Sequence, residues 1–231
     1  PGFGSFATVS VLGFDVLFDV MVGEPQFVTL RSVGSFGLGG VTTIDAGVGY
    51  PLDGSPIQQR YCFYGSDEDG NPLDTLTDIY LNQQYITEID VTGLCWLGTL
   101  DVGKNLLISL DMSGNPNLAV ITADANLITS FIWPPGPTKI IYVSFENNTG
   151  LVVVPQLSPS LIDEACNIGF SGCALDQASV DMLITACYDS GALNGFLSMT
   201  GGTNAPLPVS GPVFDLLTDL ITIRGWTVSG N

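Results

Sequence analysis

Histidine is absent from this 231-residue sequence, and Lys and Arg together number 5 against 23 Asp and Glu. Without an imidazole there is no Ser-His or Cys-His nucleophile pair and no histidine metal ligand. Five scattered cations cannot displace the counterions of a polyanion, so no nucleic-acid partner is expected. Charged residues make up only 12% of the chain, and the net charge of −18 reflects missing cations more than abundant acids. No apolar run reaches the roughly 18 residues that a membrane-crossing helix needs, so no membrane insertion is expected. The sequence opens Pro1-Gly2-Phe3 with no basic segment, so no secretory signal is expected there. The five cysteines, Cys62, Cys95, Cys166, Cys173 and Cys187, show no CxxC spacing. Their odd number argues against a complete disulfide framework and for buried free thiols.

The chain is nonetheless 45% apolar, which excludes a disordered polymer, and its 28 Gly and 14 Pro point to many turns. From residue 76 a pattern recurs: apolar, two variable, apolar, one variable, apolar. Its copies are Leu76-Ile79-Leu81, Ile86-Ile89-Val91, Leu97-Leu100-Val102, Leu107-Leu110-Met112, Leu118-Ile121-Ala123, Ile128-Phe131-Trp133 and Ile140-Val143-Phe145. Leu151 and Val154 begin a degenerate copy in which Gln156 breaks the third slot. Asn105, Asn115, Asn126 and Asn148 each fall three residues after a third slot, a place taken by Gln84, Leu94 and Gly136 in other copies. A tight bend strands backbone donors and acceptors, and an amide side chain can satisfy both kinds.

The alternation, best seen in LGTLDVGKN (97–105) and LISLDMSGNPNL (107–118), resembles bacterial leucine-rich repeats of the 21-residue kind. The resemblance implies a short solenoid over 76–172 with one short strand on each side of every coil, and inward-turned bend asparagines at 105, 115, 126 and 148. Successive coils are then expected to hydrogen-bond along the axis. One outer face would carry Glu88, Asp90, Ser109, Asp111, Ser130, Ile132, Val153 and Pro155. The other would carry Asp78, Tyr80, Thr99, Asp101, Val120, Thr122, Tyr142 and Ser144. Residues 173–231 are expected to form an α/β cap that continues the solenoid. Asp176 or Ser179 can start a helix whose apolar residues Val180, Leu183, Ile184 and Cys187 keep helical spacing, and Gly191 is placed to stop it. A strand follows at 196–199, then a second helix with Pro212 in its first turn, ended by Gly225, and a last strand at 226–228. This tail, ending in RGWTV, looks like the C-terminal segment of leucine-rich-repeat-like proteins of phages and bacteria. Residues 1–75 read instead as strand-length pieces between turn-rich segments, a sandwich-like β-domain. The fold class expected is mainly β with a few helices.

Candidate sites are few. Asp67, Asp69 and Asn71, with Asp78 eleven residues after Asp67, resemble the opening of a calcium loop, but Pro72 stands where such a loop needs glycine. They read as an acidic turn, and no metal or other cofactor is expected. Asp90 and Asp111 occupy equivalent outward slots, where solvent and salt screen their repulsion. Trp133 fits the core, while the loop Pro134-Pro135-Gly136-Pro137 is expected to project. The interaction surface expected is therefore Glu88, Asp90, Ser109, Asp111, Ser130, Ile132, Pro134 and Pro135, with no catalytic residue. Resemblance and composition together imply a non-enzymatic structural or recognition protein of a phage virion, in capsid decoration or a tail or fibre. Its partners would be other virion proteins, further copies of itself, or a host surface. The alternatives are a bacterial cell-surface adhesin with leucine-rich repeats and an extracellular hydrolase with an Asp/Glu pair.

Overall fold

The computed structural model describes residues 77–231 apart from Gln84, together with the backbone of five strands that precede them. Those five are β1 (Ser5–Val11), β2 (Phe14–Val20), β3 (Gln26–Thr29), β4 (Thr43–Asp45) and β5 (Gln59–Cys62). β1 and β2 form an antiparallel pair, and β3 pairs parallel to β5. The rest of the sandwich-like domain expected over 1–75 lies outside the described residues, as does Leu76 of the first repeat copy.

Seven short strands follow: β6 (Asp78–Tyr80), β7 (Ile86–Asp90), β8 (Thr99–Asp101), β9 (Ser109–Asp111), β10 (Val120–Thr122), β11 (Ser130–Ile132) and β12 (Ile140–Ser144). They alternate between two sides of the molecule. β6, β8, β10 and β12 pair in parallel on one side, while β9 pairs with β11, and β5 with β7, on the other. Every repeat slot from Ile79 to Phe145 named above is buried between the two sides, none more than 7% exposed. The period explains this. Each three-residue strand presents one inward side chain and the slots flanking it turn inward at the bends, while the longer β7 and β12 also contain the slots Ile86 and Ile140.

One sheet runs through the whole described chain. Beyond β12 it continues with β13 (Ile162–Gly169), β14 (Phe196–Met199) and β15 (Thr227–Gly230), all parallel, giving seven strands to which β4 adds an eighth beside β6. The register places Ile79, Leu100, Ile121, Val143, Ile168, Leu197 and Val228 in one central row. The opposite side changes character. After β11 the segment 151–158 forms no strand, and helices α1 (Gln177–Asp189) and α2 (Pro212–Thr222) take over that side. The segment's polar backbone is met by the approach to α1 and its first turns. Ala174 N donates to Leu151 O, Asp176 N to Val152 O, and Val154 N to Ser179 Oγ at 3.0 Å. Gln156 points outward and Leu157 takes the buried place instead.

Helix α1 starts where Asp176 Oδ1 accepts from Ser179 N at 2.8 Å, which satisfies an otherwise orphaned donor. Val180, Leu183, Ile184 and Cys187 form its buried stripe. Gly191, at φ +75, adopts the left-handed turn that ends it. α2 begins at Pro212 and buries Leu217 and Leu220. The last strand begins one residue later than the sequence pattern suggests. Trp226 is inserted into the core, with its indole N–H donating to Ala192 O at 2.9 Å.

One expectation needs correction. The second side is not a continuous ladder, because β7 and β9 belong to separate sheets. The neighbouring bends are nevertheless in close contact. A Cβ on Gly114 would sit 1.9 Å from Thr92 O, so only glycine allows that approach.

Candidate functional site

The expected interaction surface lies on the β7, β9 and β11 side. Glu88, Asp90, Ser109, Asp111, Ser130 and Ile132 all point outward and are exposed. Pro134 does not join them, because it is buried. Trp133 Nε1 donates to Pro155 O at 2.9 Å, which ties the start of the loop inward, and the loop projects only from Pro135.

Asp90 and Asp111 have a structural task that the sequence reading did not assign. Asp90 Oδ1 accepts from the backbone N of Thr92 at 3.0 Å and from its hydroxyl at 2.7 Å, and Asp111 Oδ1 accepts from Ser113 N at 2.9 Å. Asp101 does the same for Gly103 N at 3.1 Å on the other side. An aspartate at the end of a strand thus initiates the turn two residues on. Because β7 and β9 are not paired, no ladder sets Asp90 directly opposite Asp111. The recurring Asp-x-Thr, Asp-x-Ser and Asp-x-Gly triplets were the available sequence signal.

Away from these acids the same side becomes apolar. Ile108, Leu127, Ile132, Val152 and Val153 are between 44% and 59% exposed. Ile132 registers with Asp111, so the acidic and apolar parts adjoin within one sheet. Large aliphatic side chains repeated on adjoining layers of a rigid wall form a ready contact surface.

The bend asparagines turn inward. Asn126 Nδ2 donates to the carbonyls of Val102, Ala123 and Asp124, and its Oδ1 accepts from Leu107 N at 3.0 Å. Asn105 and Asn148 bridge adjacent layers in the same manner, accepting from Ile86 N and Ile128 N. Asn115 donates to Val91 O and Leu94 O, but its buried Oδ1 has no partner. Asn204 is a further member that pattern reading missed. It donates to Phe170 O and Met199 O and accepts from Leu175 N at 2.8 Å. It lies five residues after Met199 where the earlier ones lie three after their slot, so the spacing concealed it.

The face of the continuous sheet carries a second set of groups. Asp101 ends β8, and Asp124 and Glu146 lie two residues beyond β10 and β12, at the same end of the sheet. Asp124 accepts from the Ser144 hydroxyl and from Glu146 N at 3.0 Å. Partial burial and the Asp124 charge raise the Glu146 carboxyl above its ordinary 4.5. Burial also raises the Tyr142 phenol. The nearby charges of Asp124, Glu146 and Asp101 act in the same direction, and the Ser144 hydrogen bond opposes them. Towards β15 this face becomes neutral, with the hydroxyls of Ser171, Ser198, Thr200 and Ser229 linked to one another.

Of the residues that resemble a calcium-loop opening and read as an acidic turn, Asp67, Asp69 and Asn71 lie outside the described residues. Asp78 is on β6, where its carboxylate accepts from the Thr77 hydroxyl at 2.7 Å. Among the described residues no three acidic, Cys or His side chains gather as a metal site, and no helix is long and apolar enough to cross a membrane. Cys166, Cys173 and Cys187 are buried free thiols, and burial pushes Cys166 up to about 12 and Cys173 up to about 11. Cys95 departs from the expected burial, being exposed on a bend, and Cys62 lies on β5, of which only the backbone is described.

Comparison with protein-family models, with curated proteins and with solved structures finds no match.

Proposed function

We propose that residues 76–172 form a short leucine-rich-repeat-like solenoid capped by 173–231, and that the protein is a non-enzymatic structural component of a phage virion. Its role would be capsid decoration or part of a tail or fibre, gripping a neighbouring protein. The observation that carries the contact role is the exposed strip Ile108, Leu127, Ile132, Val152 and Val153 on a wall whose inner side is fully packed. A rigid wall with apolar groups bounded by Glu88, Asp90 and Asp111 suits a partner surface that is apolar at its centre and cationic at its rim.

Three features support the solenoid reading. Parallel strands recur at intervals of 21 or 22 residues from Ile79 to Val143. Buried asparagines bridge the bends. The aspartates on the outer face hold turns, which accounts for them without chemistry. The virion assignment draws on the resemblance of the RGWTV tail to proteins of phages and bacteria, and on the shortage of charge.

Antibodies raised against the chain test the assignment. Gold label on purified phage particles is the expected result, whereas label on the bacterial envelope would favour the cell-surface adhesin. The contact face is tested by the double substitution Ile132→Asp with Val153→Asp. The variant should keep its melting temperature within a few degrees and fail to incorporate into particles. Normal incorporation would remove this face from the proposal.

A further inference from the structure

The segment 151–158 is fastened to its neighbours by side chains, where the earlier layers use strands. Two of its backbone donors end on α1. Val154 N donates to Ser179 Oγ at 3.0 Å, and Leu157 N donates to Met182 Sδ at 3.4 Å. Ser179 and Met182 are three residues apart and so share one face of the helix. Leu157 is 1% exposed, so water has little access to replace the sulfur as acceptor. A thioether is a weak acceptor, and unlike the serine hydroxyl it is open to oxidation.

Burial singles Met182 out. Of the three methionines among the described residues, Met112 and Met199 are 0% exposed, whereas Met182 is only partly buried. It is therefore the one that a dissolved oxidant reaches first. Hydrogen peroxide transfers one oxygen to the sulfur: an S–O bond forms, the O–O bond breaks and water leaves. The sulfur gives up two electrons and the peroxide takes them. The new bond uses one of the two sulfur lone pairs and leaves the sulfur electron-poor. Either the pair facing Leu157 N is consumed, or the pair that remains accepts poorly. An apolar side chain packed against the core also becomes polar.

We propose that Met182 is a peroxide-sensitive modification site, and that its oxidation to the sulfoxide unfastens the segment 151–158 from α1. Val152 and Val153 stand exposed on that segment, so the modification alters the wall they belong to. Two thiols reduce the sulfoxide back to the thioether, yielding a disulfide and water, so the change is reversible when a sulfoxide reductase catalyses it. The proposal is independent of the virion assignment.

Peroxide titration of the 231-residue chain tests it, with Cys95→Ser in every sample so that the exposed thiol does not react. Peptide mass spectrometry should find one added oxygen on Met182 before any on Met112 or Met199. The oxidised chain should melt about 2–4 °C lower. The Leu157 amide should exchange about fivefold faster. Methionine sulfoxide reductases supplied with a thiol should reverse both changes. Met182→Leu keeps the side-chain volume but has no acceptor, so it should start at the lower melting temperature and not shift further with peroxide. Met182→Gln, which keeps an acceptor and has no sulfur, should also be insensitive to peroxide, and it serves should the leucine variant fail to fold. Oxidation of all three methionines together, an unchanged melting temperature once Met182 is oxidised, or a full peroxide shift in the Met182 variants would overturn the proposal.

Discussion

Residues 77–158 and 159–231 share one sheet but close their cores differently. In the first region each layer is two short strands and two bends, and the central row advances 21 residues from Ile79 to Leu100. In the second each layer is a strand and a helix, and the same row advances 31 residues from Leu197 to Val228. A helix is wider than a strand, so the interior must widen at the change. Aromatic rings fill that widening. Phe131 stacks on Phe145 with centroids 4.2 Å apart, Phe145 stacks on Phe170 at 5.7 Å, and Trp133 meets Phe131 edge-on at 4.7 Å. The bends follow the same division. Asn105, Asn126 and Asn148 keep one spacing, and Asn204 does the same work at another. What persists across the two regions is the sheet and the amide bridge, and what varies is the filling opposite.

The strongest test asks whether the two regions unfold together. Leu100→Ala and Leu197→Ala each remove a fully buried side chain from the common row and should each cost about 2–5 kcal/mol. Calorimetry should show a single shifted transition in both variants. Two resolved transitions in Leu197→Ala would mean that the regions are separate cooperative units.

The next test concerns the bends. Asn126→Ala leaves the buried Leu107 N–H without its acceptor, while Val102 O and Ala123 O keep Asn105 and Asn148 as donors, and should cost about 2 kcal/mol in denaturant unfolding. Asn115→Ala strands no N–H, its two carbonyls Val91 O and Leu94 O keep the backbone donors Leu94 N and Leu97 N, and it removes an oxygen that had no partner, so about 1 kcal/mol or less is expected. Equal costs would show that the acceptor half of the bridge contributes nothing.

Gly114→Ala places a methyl group against the Thr92 backbone and should cost about 1–3 kcal/mol, because the β7 and β9 bends must separate. A neutral result would mean that this contact is easily relaxed.

The smallest effect belongs to Glu146. Its folded carboxyl is raised above 4.5, so its contribution to stability is fully present below the ordinary carboxylate range. That contribution is lost as pH rises through the raised value. Glu146→Gln removes the loss. The variant should melt slightly higher than the parent at pH 7 and equally below about pH 4. A gain of the same size at both pH values would exclude ionisation as its cause.

Much of the fold was legible because burial repeats. A slot recurring at fixed spacing can lie only on one side of its strand, so Ile79 to Phe145 declared the core directly. The caps of α1 were legible because Asp176 and Gly191 each answer a local backbone need. Pro134 was misread because its burial depends on Trp133 reaching Pro155, a contact between segments 22 residues apart. Asp90 and Asp111 were read as surface charge because the reading weighed their exposure and not the N–H groups two residues on. Cys95 was expected inside because the count and spacing of the cysteines argued for buried free thiols, while its bend holds it out. Of the expected face, the acids and Ile132 were visible in the repeat, but the strip formed with Val152 and Val153 required knowing that no strand forms at 151–158.

The sequence by itself determined which side chains of the repeat go inward, where the bends fall and roughly where both helices lie, since each depends on neighbours a few residues away. Only the tertiary structure decided that the β7–β9 ladder is broken, that the segment 151–158 forms no strand, and that β13 to β15 join β6 to β12 in one sheet. Those outcomes depend on which backbone groups meet across 20 or more residues, and local chemistry does not select among such partners.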